Sequence, residues 1–69
     1  MKEISKKYAE KNNLKKIGVI KDTDMSKIIL KLERLKENKK IKYYCMEFII
    51  FDPVKHLGDI EVSLWTDQS

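Results

Sequence analysis

An eleven-residue run near the middle of the chain, Ile41–Phe51 (IKYYCMEFIIF), limits the fold more than any other feature of the sequence. It contains one lysine and one glutamate among nine apolar or aromatic residues. A strand with one solvent-facing side alternates apolar and polar residues, and this run does not. We therefore predict a strand over residues 41–51 that needs cover on both of its faces.

A second strand over residues 59–66 is predicted by the alternation in DIEVSLWTD. Ile60, Val62 and Leu64 point one way along it, while polar residues and Trp65 point the other way. Pro53 keeps the residue before it out of the helical region, so a turn is expected between the two strands. The two strands are thus predicted to form an antiparallel hairpin with a long loop.

The pairing of this hairpin decides which residues form the core. Residues directly opposite each other in a sheet share a face. One register would build a fully apolar face from the pairs Ile50–Ile60, Phe48–Val62 and Met46–Leu64. A slip of one residue would scramble that face, so the assignment of residues to faces is firmer than the individual pairs.

The clearest helix lies over residues 24–38. Its apolar residues recur at helical spacing on one side, and Asp24 is a favourable N-cap. This helix is expected to cover the apolar face of the hairpin with Met25, Ile28, Ile29, Leu32 and Leu35.

The N-terminal part predicts a shorter helix over residues 2–12, with Ile4 and Tyr8 on one side. Asn12 and Asn13 suit its end, because asparagine tolerates the left-handed conformation. A short strand is expected at residues 16–20, and the following connection is long enough to make it parallel to the strand at 41–51. The whole is a single small α+β domain, 1–69, with the order α-β-α-β-β.

Charge is divided unevenly along the chain. Residues 1–42 contain 14 Lys or Arg and six Asp or Glu, a net charge of +8, whereas residues 43–69 contain one Lys and five acids, a net charge of −4. If the two parts stay apart in space, the folded protein has one basic side and one acidic side.

The sequence contains few residues in patterns that support catalysis. Cys45 falls inside an apolar run and is expected to be a buried hydrophobe, and His56 is expected to be an exposed loop residue. The chain contains only two glycines, Gly18 and Gly58, so it lacks a glycine-rich phosphate loop. The acids follow no metal-loop pattern. We expect no enzyme activity, no metal and no cofactor.

Membrane and secretory signals are also lacking. The N-terminal residues have no apolar core of a signal peptide, and the longest apolar run is far shorter than a membrane helix. We therefore expect a cytoplasmic protein without membrane contact.

The second face of the hairpin raises the question of function. It could be covered by the first helix, by a second copy of the chain, or by a different protein. Large apolar patches are seldom left open on monomers. We expect a small binding protein, of the kind common among phage and mobile-element regulators and inhibitors, that modulates a protein partner through an aromatic face. That face contains Tyr43, Ile49, Phe51, Glu61 and Trp65.

Nucleic-acid binding is the alternative. Cations at helical spacing on the second helix, continued into the following segment, could follow a phosphate backbone. Most are lysines, which attract phosphate without reading sequence, whereas arginine can contact a base or phosphate with two hydrogen bonds. The candidate residues are Lys27, Lys31, Arg34, Lys39 and Lys40.

Overall fold

A computed structural model describes residues 1–52, 54 and 57–68 of the protein, without the side chains of Ile50, Phe51, Asp52 and Leu57. The chain folds into two helices and a four-stranded mixed sheet, which confirms the α+β class. In chain order the elements are β1 (Lys2–Glu3), α1 (Lys6–Lys11), β2 (Lys15–Asp22), α2 (Met25–Leu35), β3 (Tyr43–Asp52) and β4 (Leu57–Thr66).

The strands are ordered β1-β3-β4-β2 across the sheet. β4 is antiparallel to both β3 and β2, and β1 is parallel to β3. β2 and β3 therefore run in the same direction, as predicted, but β4 is inserted between them. This order leaves β2 at one edge of the sheet.

The first helix is shorter than predicted. Residues 2–3 form β1, opposite Tyr43 and Tyr44, and the helix begins only after Ser5. The Ser5 hydroxyl accepts a hydrogen bond from the backbone N–H of Tyr8 at 3.1 Å, which satisfies one of the free donors of the first turn. The helix ends as predicted, because Asn13 has a positive φ of 52°.

α2 starts where the N-cap signal placed it. The Asp24 carboxylate accepts a hydrogen bond from the backbone N–H of Ser26 at 2.9 Å. The helix ends at Leu35, three residues before the predicted end, because Asn38 forms a turn instead. The side-chain oxygen of Asn38 accepts from the backbone N–H of Lys40, and its carbonyl accepts from the N–H of Ile41.

The core lies between α2 and one face of the sheet. It is the predicted apolar face, and its buried residues are Ile28, Leu32, Ile41, Ile60, Val62 and Leu64. Met1, Ile20, Met25, Leu35, Tyr44 and Met46 pack against them while partly exposed.

The predicted register of the hairpin is wrong by two residues, because Met46 lies opposite Val62 and Phe48 lies opposite Ile60. A shift of two keeps each side chain on its own face, so Ile60, Val62 and Leu64 remain on the core face. Of the predicted core positions on β3, Phe48 is 58 % exposed and Ile50 lies opposite Asp59. An irregularity between Phe48 and Ile50 then changes the alternation, and Phe51 lies opposite Gly58.

Candidate functional site

The face of the sheet away from α2, here called the outer face, is where the sequence placed the binding surface. The register identifies the residues that share it. They are Tyr43, Cys45 and Glu47 from β3, Glu61, Ser63 and Trp65 from β4, and Lys16, Val19 and Lys21 from β2. Ile49 lies at the irregularity of β3, between Phe48 opposite Ile60 and Ile50 opposite Asp59, and its side chain is exposed.

α1 covers one end of the outer face. Ala9 is only 1 % exposed, so the helix approaches the sheet closely, and Cys45 beneath it is 4 % exposed. The rings of Tyr8 and Tyr43 lie 6.3 Å apart between centroids, which places the helix over the start of β3. The first helix is therefore a cover for part of this face, one of the three that the sequence left open.

The cover ends partway along the sheet because α1 is short. Six helical residues span about 9 Å, whereas the ten residues of β3 span about 33 Å. Beyond the helix lies a surface, here called the open half, that consists of Val19, Lys21, Glu47 and Glu61, with Ile49 beside it at the irregularity of β3. Ile49 is 49 % exposed there.

The two aromatic residues expected to anchor a partner make internal contacts at the covered end. Tyr43 lies directly opposite Trp65, and both are only half-buried. The Lys16 ammonium lies 6.0 Å from the centroid of the Trp65 ring. The Trp65 indole N–H is buried and has no acceptor among the described residues.

The predicted aromatic face is thus not one continuous surface. Tyr43 and Ile49 are six residues apart on β3, about 20 Å along the strand, and Glu47 and Glu61 lie between them. The side chain of Phe51 is outside the described part of the structure, as is all of His56.

Electrostatics in the open half are acidic. Glu47 and Glu61 lie opposite each other, with Asp59 at the same end of β4. Lys21 Nζ lies 3.5 Å from the Glu61 carboxylate and offsets one of these charges. Two cross-strand carboxylates repel each other, so a cationic group placed over them would be stabilised.

The predicted nucleic-acid residues divide into two groups. The first group, with Leu30, forms one side of α2, here called the cationic flank: Lys27, Leu30, Lys31 and Arg34. It lines grooves together with Ile20, Asp22 and Leu35. The second group, Lys39 and Lys40, lies in the exposed turn after the helix and outside those grooves.

Asp22 connects the cationic flank to the end of β2. Its carboxylate accepts a hydrogen bond from the backbone N–H of Asp24 at 3.1 Å and one from Lys31 Nζ at 3.3 Å. The first of these bonds contributes most to lowering the pKa of Asp22, and Lys31 adds to it. Lys31 is therefore partly neutralised, while Lys27 and Arg34 take part in none of the ion pairs among the described residues.

Near the C-terminal end of the described chain, Asp67 holds the start of β3. Its carboxylate accepts hydrogen bonds from Lys42 Nζ at 2.8 Å and from the Tyr43 hydroxyl at 3.2 Å. The bond from Lys42 lowers the pKa of Asp67 and raises the pKa of Lys42. The negative charge of Asp67 also raises the pKa of Tyr43.

Removing this carboxylate should change the response to acid and to base. Asp67 has a lowered pKa when folded, so its contribution to stability is present above the unfolded carboxyl pKa and disappears as pH falls through the folded value. Lys42 and Tyr43 have raised values, so their contributions disappear as pH rises through them. In the Asp67→Asn variant we expect weaker acid dependence of the unfolding midpoint and a Tyr43 titration that moves to lower pH.

NMR titration of the Tyr43 ring and thermal unfolding between acid and neutral pH would measure these two effects. The Asp59→Asn variant is the control, since it removes an exposed carboxylate from β4. Unchanged titration of Tyr43 in the Asp67→Asn variant would show that the contact is not formed in solution.

The single thiol is unsuited to attack a substrate. Burial, as the main cause, raises the pKa of Cys45, and the negative charge of Glu47 adds to the increase. The reactive thiolate is therefore disfavoured at neutral pH. Within the described residues, no three His, Cys, Asp or Glu side chains are grouped so as to hold a metal ion.

No helix in the described ranges is both long enough and apolar enough to cross a membrane. No protein-family model matches the sequence, and neither the curated proteins nor the solved structures contain a match to it.

Proposed function

We propose that this chain is a small, non-enzymatic, cytoplasmic binding protein that attaches to a protein partner through the open half of its outer face and changes the partner's activity. The main support is the length of α1, which is only about a quarter of the length of β3. Apolar Val19 and Ile49 are left exposed beside a pair of carboxylates.

The chemistry of the open half favours a basic partner surface. Glu47, Glu61 and Asp59 outnumber Lys21, so a rim of Lys or Arg on the partner would be attracted, and its approach would be accelerated. A second copy would bring the same carboxylates face to face, which is unfavourable. A foreign protein with an apolar centre and a basic rim fits better than self-association.

The Ile49→Glu variant tests this surface. It places a third carboxylate among Glu47 and Glu61 and removes an apolar contact, so we expect binding of the partner to weaken at least 10-fold. The partner would be captured from a lysate of the native host treated with nuclease, identified, purified and titrated by calorimetry. Ile29→Glu is the matched control, because Ile29 is the same residue type, equally exposed at 49 %, and located on α2 outside the cationic flank.

Loss of binding in the Ile29→Glu variant with retention in the Ile49→Glu variant would move the interface to α2. Capture that disappears after nuclease treatment would also contradict a direct protein contact at the open half.

Nucleic-acid binding through α2 is a second candidate, supported by one observation. Lys27, Lys31 and Arg34 lie along one side of α2, and the described chain offers an ion-pair partner only to Lys31. Its signature would be a steep salt dependence, with a log–log slope of roughly −2 to −3 for three phosphate contacts.

A further inference from the structure

We propose that the free edge of β2, together with the cationic flank of α2, binds an extended acidic segment of another protein as an additional strand of the sheet. The cationic flank and the free edge lie apart from Glu47 and Ile49. The open half includes Val19 and Lys21 of β2, but the inference does not depend on the role of the open half.

The first support is the position of β2 in the sheet. It is the last strand of the order and pairs only with β4, along its whole length from Lys15 to Asp22. No other strand in the described part of the chain covers its outer side. Half of its backbone N–H and C=O groups therefore point to solvent, and a row of such groups is a template for an added strand.

The shape of this edge also permits pairing. The irregularity between Lys16 and Gly18 disturbs the start of β2, but residues 18–22 pair regularly with β4. Five regular residues span about 17 Å, enough for a short added strand.

The second support is the groove beside the edge. Ile20 and Leu35 form its apolar floor, and Lys31 and Arg34 form its wall. Lys27 and Leu30 continue the wall toward Asp22. Side chains of an added strand would alternate between this groove and the outer face, where Lys16 and Lys21 lie.

The charged residues beside the free edge of β2 indicate which kind of molecule would bind there. On the groove side the edge carries Lys27, Lys31 and Arg34, and Asp22 pairs only with Lys31. On the outer face Lys21 pairs with Glu61, and Lys16 is the remaining cation of β2. Antiparallel pairing of β2 with β2 of a second copy, about an axis normal to the sheet, would bring the two cationic flanks together on one side. That arrangement is repulsive, whereas an acidic segment is attracted by the cationic flank.

An extended peptide also fits this edge better than a nucleic acid does. The edge offers backbone donors and acceptors in alternation, and a peptide backbone complements both. A phosphodiester backbone supplies acceptors only, so it would use the cations and leave the exposed carbonyl groups of β2 without donors.

The probe for this inference is a capped eight-residue peptide of alternating valine and glutamate. Either orientation of the peptide places valine on one side of the added strand and glutamate on the other, and both sides of β2 offer cations. We expect the amides of residues 18–22 to shift in NMR spectra on titration, and those that point away from β4 to exchange with solvent at least 10-fold more slowly.

Variants separate strand addition from general attraction. Lys27→Glu combined with Arg34→Glu should weaken the peptide at least 10-fold. Lys7→Glu combined with Lys11→Glu changes the net charge equally on exposed positions of α1, and it should change affinity by less than 3-fold. A peptide methylated on every backbone nitrogen should bind at least 10-fold more weakly, because neither of its edges can donate to the ladder.

Several results would overturn the inference. They are equal binding of the methylated peptide, equal weakening by the α1 variant, no binding at millimolar peptide, or the same amide protection with an eight-nucleotide single-stranded DNA. Protection of β2 that appears without peptide as protein concentration rises would identify a second copy as the occupant. Failure of the Ile49→Glu test would leave these results unaffected, since Ile49 lies on β3.

Discussion

Replacing Ile28 by alanine is expected to lower the free energy of unfolding by about 2–5 kcal/mol, the usual cost of removing a large buried aliphatic group. Ile28 is 0 % exposed, as is Val62 on the sheet beneath it. Both belong to the cluster that fixes α2 to the sheet. A chain of 69 residues rarely gains more than about 3–5 kcal/mol from its core, so this variant should be largely unfolded at 37 °C.

The neighbouring residue provides the control. The Ile29→Ala variant makes the same substitution on the same helix, so its effect on helix propensity is similar to that of Ile28→Ala. The two differ in burial, because Ile29 is 49 % exposed. We expect its free energy of unfolding to differ from wild type by less than about 0.5–1 kcal/mol. Urea unfolding followed by circular dichroism measures both variants, and equal losses would mean that α2 is rotated relative to this structure.

Helical spacing predicted which side of α2 faces the sheet, because the periodic signal of a helix is local. The capping roles of Asp24 and Asn13 were also predictable from the sequence, since capping depends on a few neighbouring residues. Residues 2–3 were misassigned to a helix because β1 exists only through its pairing with Tyr43 and Tyr44, far along the chain.

The register and the sheet order could not be predicted from local sequence patterns either, because both depend on pairing between residues far apart along the chain. A two-residue slip of the hairpin leaves both faces unchanged, so hydrophobic alternation cannot detect it. The insertion of β4 between β2 and β3 creates the free edge of β2, and no pattern within KKIGVIKD indicates which of its sides is paired.

The candidate site was predicted in part. The outer face was identified from the second apolar register of β3, and the cationic flank from the spacing of Lys27, Lys31 and Arg34. The division of the outer face was missed, because the cover depends on Ala9. Alanine is a weak hydrophobic signal, yet Ala9 is fully buried, and its small side chain allows α1 to lie close to the sheet.

Placing a charge at this contact should detach the helix. In the Ala9→Glu variant, a side chain that is 1 % exposed in wild type becomes a larger ionised group without a partner. Since α1 is only six residues long, undocking it costs less than burying that charge. We expect α1 to separate from the sheet while α2 and the hairpin remain folded.

The thiol of Cys45 reports this separation. In the wild-type protein it is 4 % exposed and burial raises its pKa, so alkylation by iodoacetamide should be slow. Without the cover, both access and thiolate fraction increase, and the rate in the Ala9→Glu variant should rise at least 10-fold. Mass spectrometry of the alkylated protein over time measures the rate.

Local undocking must be distinguished from unfolding of the whole domain. The Glu10→Ala variant changes the adjacent, exposed residue of α1 and should leave the alkylation rate within 3-fold of wild type. NMR signals of Ile28 and Val62 should persist in the Ala9→Glu variant, since both residues lie on the other side of the sheet. If those signals persist and Cys45 still reacts slowly, something other than α1 protects the thiol, and the boundary between the covered end and the open half would have to be redrawn.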